Sequence, residues 1–155
     1  MHKMNQPLPN VESLSFKIGI SGTYWGKKPQ YEILVNNDLQ VSKEIAGQSN
    51  QIEYIEFQYN CAENSDFTLS INLVNKTDSD TVLDDSNIIQ KDMLLNIESI
   101  EIEGIELETL KWTASCFVAD DPDKPNLYHC VNLGWNGSYK ISMTSPFYLW
   151  LLENS

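Results

Sequence analysis

Residues 69–107 read LSINLVNKTDSDTVLDDSNIIQKDMLLNIESIEIEGIEL, and the two ends of this stretch decide the fold. Leu69, Ile71 and Leu73 alternate with polar residues at one end, and Ile97, Ile100, Ile102 and Ile105 recur at the other. Both runs put apolar side chains mostly on one face of a strand, the period of a half-buried sheet. Between them lie five aspartates: Asp78, Asp80, Asp84, Asp85 and Asp92. A carboxylate-rich loop joining two strands can stay solvated, where it also keeps a sheet edge from pairing with other chains. Alternatively it can gather hard oxygen ligands around calcium, with these five as the candidate ligands. No EF-hand spacing (DxDxDG…E) is present, so the second reading rests on the carboxylates alone.

The alternating pattern continues outward from this stretch. Strands are expected over residues 13–20, 30–35, 39–41, 52–59 and 67–74, with Asn36-Asn37-Asp38 as a turn into a hairpin. Beyond the acidic loop, residues 93–97 and 99–107 read as strand, broken by a bulge or tight link. Residues 110–118 extend the sheet, and 127–133 and 139–143 follow as further strands. Asn136-Gly137 is the strongest two-residue hairpin signal in the chain. Residues 147–152 (FYLWLL) read as a core strand or a buried subunit contact, because so apolar a run is unsuited to a free tail. No ten-residue segment keeps a 3.6 period. Short strands separated by turns every eight to twelve residues predict an all-β protein, an antiparallel β-sandwich or jelly roll. The expected organisation is a flexible polar arm over residues 1–12, carrying Pro7 and Pro9, followed by one domain over 13–155. Residues 112–155 are expected to be an extension that adds strands to it.

Composition removes several function classes. A net charge of −12 opposes binding to nucleic acid or to an anionic membrane surface. All ten basic residues are lysines, so bidentate arginine recognition of phosphate or carboxylate is unavailable. Cys61, Cys116 and Cys130 have no CxxC spacing, and with His2 and His129 the only histidines, no zinc ligand set emerges. Reduced, semi-buried thiols are the expectation, though a disulfide between two of them remains open. The opening MHKMNQPLPNVES lacks an apolar core, so no secretory signal is expected. Asn75-Lys76-Thr77 and Asn136-Gly137-Ser138 match the glycosylation pattern and are read as chance matches.

Catalysis has little support. His129 is next to Cys130, and on a strand the two would point to opposite faces, so no nucleophile and base pair forms. Paired carboxylates for glycoside hydrolysis stay open, because 22 acidic residues make pairs by chance. The expectation is a non-enzyme. Tyr24, Trp25 and Trp135 lie in glycine-bounded loops, where flat rings could stack on the apolar face of a sugar. The alternative is that they cap the core or face a neighbouring subunit.

The order of segments resembles the calcium-dependent xylan-binding carbohydrate-binding modules. A loop from Gly22 to Pro29 leads into EILVN (32–36), an aromatic strand IEYIEFQY (52–59), SINLVN (70–75), an acidic loop, then KDMLLNIESIEIEG (91–104). In that family a strand ending in Asn-Asp precedes the acidic loop. Here Asn75 matches, and Lys76 stands where the family has aspartate. The likeness covers roughly residues 16–107 and implies a jelly roll that binds glycan, with calcium as its cofactor. Two phrases, KDMLLNIESIEIEGIEL and NLGWNGSYKISMTSPFYLWLLEN, resemble segments in structural proteins of tailed phages, cyanophages in particular. That likeness implies a virion or tail-fibre-associated component, made in the host cytoplasm. Its partners would be other virion proteins, in a homo-oligomer or larger assembly. A decoration protein with no ligand is the alternative, and a glycan-active enzyme a more distant one.

Overall fold

The computed structural model describes residues 10–155. Most of the expected arm, residues 1–9, lies outside the described residues, and the first strand begins at Val11. The strands of the first half are β1 (Val11–Thr23), β2 (Gln30–Val35), β3 (Asp38–Glu44), β4 (Glu53–Ala62) and β5 (Asp66–Leu73). A long loop then carries the short hairpin β6 (Val82–Leu83) and β7 (Ile89–Lys91). Next come β8 (Leu94–Ile102), β9 (Ile105–Glu106) and the one-turn helix α1 (Leu110–Thr113). The chain finishes with β10 (Ser115–Ala119), β11 (Leu127–Tyr128), β12 (Asn132–Leu133), β13 (Gly137–Thr144) and helix α2 (Phe147–Asn154).

These form two antiparallel sheets. One runs β12-β8-β1-β4 with β9 beside β8, and the other runs β11-β10-β13-β5-β2-β3. Their inward residues make one continuous core: Leu14, Phe16, Ile18 and Ile20 from β1 and Leu95, Ile97, Ile100 and Ile102 from β8 belong to it. So do Phe67, Leu69, Ile71 and Leu73 from β5 and Tyr139, Ile141 and Met143 from β13. The all-β sandwich read from the alternation is the fold observed. The three-residue step from Ile97 to Ile100 would break a strict period of two. A bulge absorbs it: β8 pairs Ile97 with Ile20 and Ser99 with Gly19, leaving Glu98 as the extra residue, so both isoleucines point inward.

Four expectations change. Residues 147–152 form α2 rather than a strand. The β10 ladder along β13 ends at Ile141 and the β5 ladder at Thr144, so a continuation has no strand to pair with. Pro146 breaks the chain there, and the Glu12 carboxylate accepts the Phe147 N–H at 2.9 Å and the Ser145 hydroxyl at 2.7 Å. Eight residues are too few for a self-sustaining helix. Burial of Phe147 and Trp150, three apart on one face, holds it to the core. Second, Asn136-Gly137 is not a hairpin. Leu133 pairs with β8 in one sheet and Gly137 opens β13 in the other, so the dipeptide is part of a crossover between sheets. Glycine is needed for close approach, since a Cβ there would collide with the Val118 carbonyl oxygen. Third, the expected strand over 127–133 splits into β11 and β12, which join different sheets. Fourth, the expected strand over 110–118 opens as helix α1, and its strand part, β10, joins the sheet opposite β8. The three cysteines are free. Burial first, and Glu12 second, push the Cys61 thiol up to about 11, so it is an inert core residue. Among the described residues no helix is long and apolar enough to cross a membrane.

Candidate functional site

The acidic loop joins β5 in one sheet to β8 in the other, and the 134–136 link crosses in the opposite sense. The two crossovers lock together. Lys76 N–H donates to the Asn136 side-chain oxygen at 2.8 Å, and the Asn136 amide returns a hydrogen bond to the Lys76 carbonyl at 2.9 Å. Asn75 pins the loop's start to the strand beside it, accepting from Gln30 N–H at 2.8 Å and donating to the Lys28 carbonyl at 2.9 Å. Both glycosylation-pattern asparagines therefore spend their amides on the backbone.

The five aspartates do not converge. Asp92 Oδ1 receives Lys76 Nζ at 2.7 Å, Thr81 Oγ1 at 2.7 Å and Met93 N–H at 2.8 Å. Asp80 Oδ2 receives Thr77 N–H at 2.7 Å and Thr77 Oγ1 at 3.0 Å, with Lys27 Nζ at 3.1 Å. Asp84 closes its own turn, accepting Ser86 N–H at 2.8 Å and Ile88 N–H at 2.9 Å. Asp78 and Asp85 are exposed. Among the described residues no group of three or more acidic, histidine or cysteine side chains is placed to hold a metal. Calcium asks for six to eight oxygens at 2.3–2.6 Å, and this donor set does not supply them. Partial burial alone would raise the Asp92 carboxyl. Hydrogen bonds from Lys76, Thr81 and the Met93 N–H outweigh it and hold the group below the usual carboxylate range. Asp80 is likewise lowered: burial opposes the shift, while Thr77 and Lys27 carry it.

Where the two crossovers meet, a cleft of about 510 Å³ opens. Trp135 and Ile89 form its apolar walls, and Thr77, Thr81 and Asn136 offer hydroxyl and amide groups. Acidic side chains come from Asp78 and Asp92 on one side and Asp120 and Asp121 on the other. The Trp135 ring is half-buried and leans on Phe117 at a centroid distance of 6.4 Å, while the exposed Lys124 ammonium lies 4.8 Å from its centroid. The other two candidate aromatics lie elsewhere. Tyr24 lines a separate groove of about 440 Å³ with Gln51 and Glu53, and its hydroxyl donates to the Gly47 carbonyl at 2.8 Å. Trp25 lines neither concavity; it is 49 % exposed, donates Nε1 to the Asp80 carbonyl at 3.0 Å and carries the Lys91 ammonium 4.9 Å from its centroid. Sequence reading missed Lys76, Asn136 and the Asp120–Lys124 segment as parts of one site. The one available signal was Lys76, a lone cation opening a run of carboxylates.

No family model and no curated protein matches the chain. Its fold is similar to that of two solved structures of carbohydrate-binding modules. One is "vCBM60 in complex with galactobiose", with TM-score 0.51 and 8 % identity over 82 % of this chain and 96 % of that one. The other is a selenomethionine form of vCBM60, described as linking two families of calcium-dependent carbohydrate-binding modules through circular permutation. Its TM-score is 0.52 at 8 % identity, covering 83 % of this chain and 89 % of that one. At this identity the likeness is one of fold.

Proposed function

We propose that the protein is a non-catalytic glycan-binding module whose ligand lies in the Trp135 cleft. The carrying observation is an indole set among hydroxyl, amide and carboxylate groups at the meeting point of two crossovers. A pyranose presents C–H groups on one face and hydroxyls at its rim, which matches a ring surrounded by hydrogen-bonding groups. Lys124 over the ring would yield to the sugar or move to its edge, since a cation–π contact at an exposed site is worth only about 0.5–1 kcal/mol. Four aspartates against Lys76 and Lys124 make the cleft anionic, so it suits neutral glycans and repels uronates. The xylan of the resembling family and the galactobiose bound by the structural neighbour are both neutral and are the first ligands to try. Affinity electrophoresis against soluble xylan, galactan and polygalacturonate tests the reading. Trp135→Ala should weaken retention on the neutral polymer at least tenfold, about 1.4 kcal/mol. Undiminished retention by that variant, or none of the neutral polymers retaining the wild type, would end it.

A second reading concerns α2, whose outer face carries Tyr148, Leu149 and Leu152 at 50 %, 55 % and 75 % exposure. These residues share one side of the helix and form an apolar patch of the kind that marks association. On this reading the module is part of an assembly, and the phage resemblance supplies its setting: a virion, with other virion proteins as neighbours. Light scattering on the purified chain should then give a mass above 17.7 kDa, and a strict monomer at high concentration would count against self-assembly.

A further inference from the structure

We infer that the Lys76 ammonium is a built-in cation that takes the place a divalent ion would need in this acidic loop, so that the cleft is assembled without calcium. Three segments meet at Nζ. Lys76 opens the loop, Asp92 closes it and contributes Oδ1 at 2.7 Å, and Gly134 on the opposing crossover contributes its carbonyl oxygen at 2.6 Å. A carboxylate and a backbone carbonyl converging on one cation are the ligand types calcium takes from loops. The ammonium already holds both oxygens, so an ion binding to them would have to displace it. Its side chain is only 11 % exposed, and the reciprocal Asn136 amide pair fixes the backbone that delivers it.

Charge accounts for the rest of the arrangement. A divalent ion needs two or more carboxylates nearby, whereas a monovalent ammonium is neutralised by Asp92 alone. That leaves Asp84 to brace its own turn and Asp78 and Asp85 to face water. Lys27 repeats the device at Asp80, at 3.1 Å and with a more exposed ammonium. Tethering both ends of a long loop to a second crossover is what a structural ion does, and here one side chain does it. The inference concerns how the loop is held and stands whether or not the cleft takes a glycan.

The experiment is thermal melting of the full chain after dialysis against EDTA and again in millimolar calcium chloride, for the wild type and for Lys76→Asp. The wild type should melt within about 1 °C in both, because no folded-state site binds the ion. Lys76→Asp places a second carboxylate beside Asp92, so its melting temperature in EDTA should fall by about 5 °C or more and recover in part with calcium. A wild type that loses stability to EDTA and regains it with calcium would overturn the inference. So would a Lys76→Asp protein that is destabilised but indifferent to calcium. Should that variant fail to fold in EDTA, the chelation response of the wild type decides alone.

Discussion

The base and the tip of the acidic loop use their aspartates in different ways. Near the body of the sandwich, Asp92 is 19 % exposed and gathers an ammonium, a hydroxyl and a backbone N–H on one oxygen. Toward the tip, Asp84 sits in water and serves the turn that contains it. The difference shows that carboxylate type says nothing about role until depth is known. A half-buried charge must be fully partnered, because removing one partner leaves the other desolvated and unpaired. A solvated one can act as a local brace at little cost.

The sharpest way to break the comparison is Asp92→Ala, which strands the Lys76 ammonium beside the Gly134 carbonyl. It should cost about 2–3 kcal/mol, read as a shifted denaturation midpoint with an unchanged slope. A loss no larger than that of Asp84→Ala would erase the distinction. The same group governs acid sensitivity. Its folded pKa lies below the ordinary value of about 3.9, so its stabilisation is complete above that pH and is lost as pH falls through the folded value. Asp80 adds to this with the same sign. At the small end, Lys27→Ala removes an ammonium whose side chain is 41 % exposed. A loss of about 1 kcal/mol in the denaturation midpoint is expected, smaller than at Asp92, because the 10 % exposed Asp80 carboxylate keeps its two Thr77 hydrogen bonds when the exposed ammonium goes.

Much of the sandwich is legible in the sequence. Asn36-Asn37 reads as a turn into a hairpin, and both residues adopt positive φ (51° and 66°) between β2 and β3. Asn136-Gly137 carried a stronger signal of the same kind and became a crossover. Turn chemistry is local, but which strands a turn joins depends on partners far away in the chain. Residues 147–152 mislead for a related reason: an apolar run names burial, not the period it will adopt, until the neighbouring ladders are known to end. Of the site, Trp135 was legible as an aromatic in a tight loop. Tyr24 and Trp25 looked equivalent to it in sequence and stand in different places.

Alternation alone settled that this chain is two antiparallel layers with an acidic loop between strands of the central stretch. The period of two is written residue by residue, and burial of one face enforces it. Which aspartates pair with which lysines, and which aromatic walls a cleft, were decided only when two crossovers closed over the same end of the sandwich. Asn136 meets Lys76 across 60 residues of chain, and no local rule reaches that far.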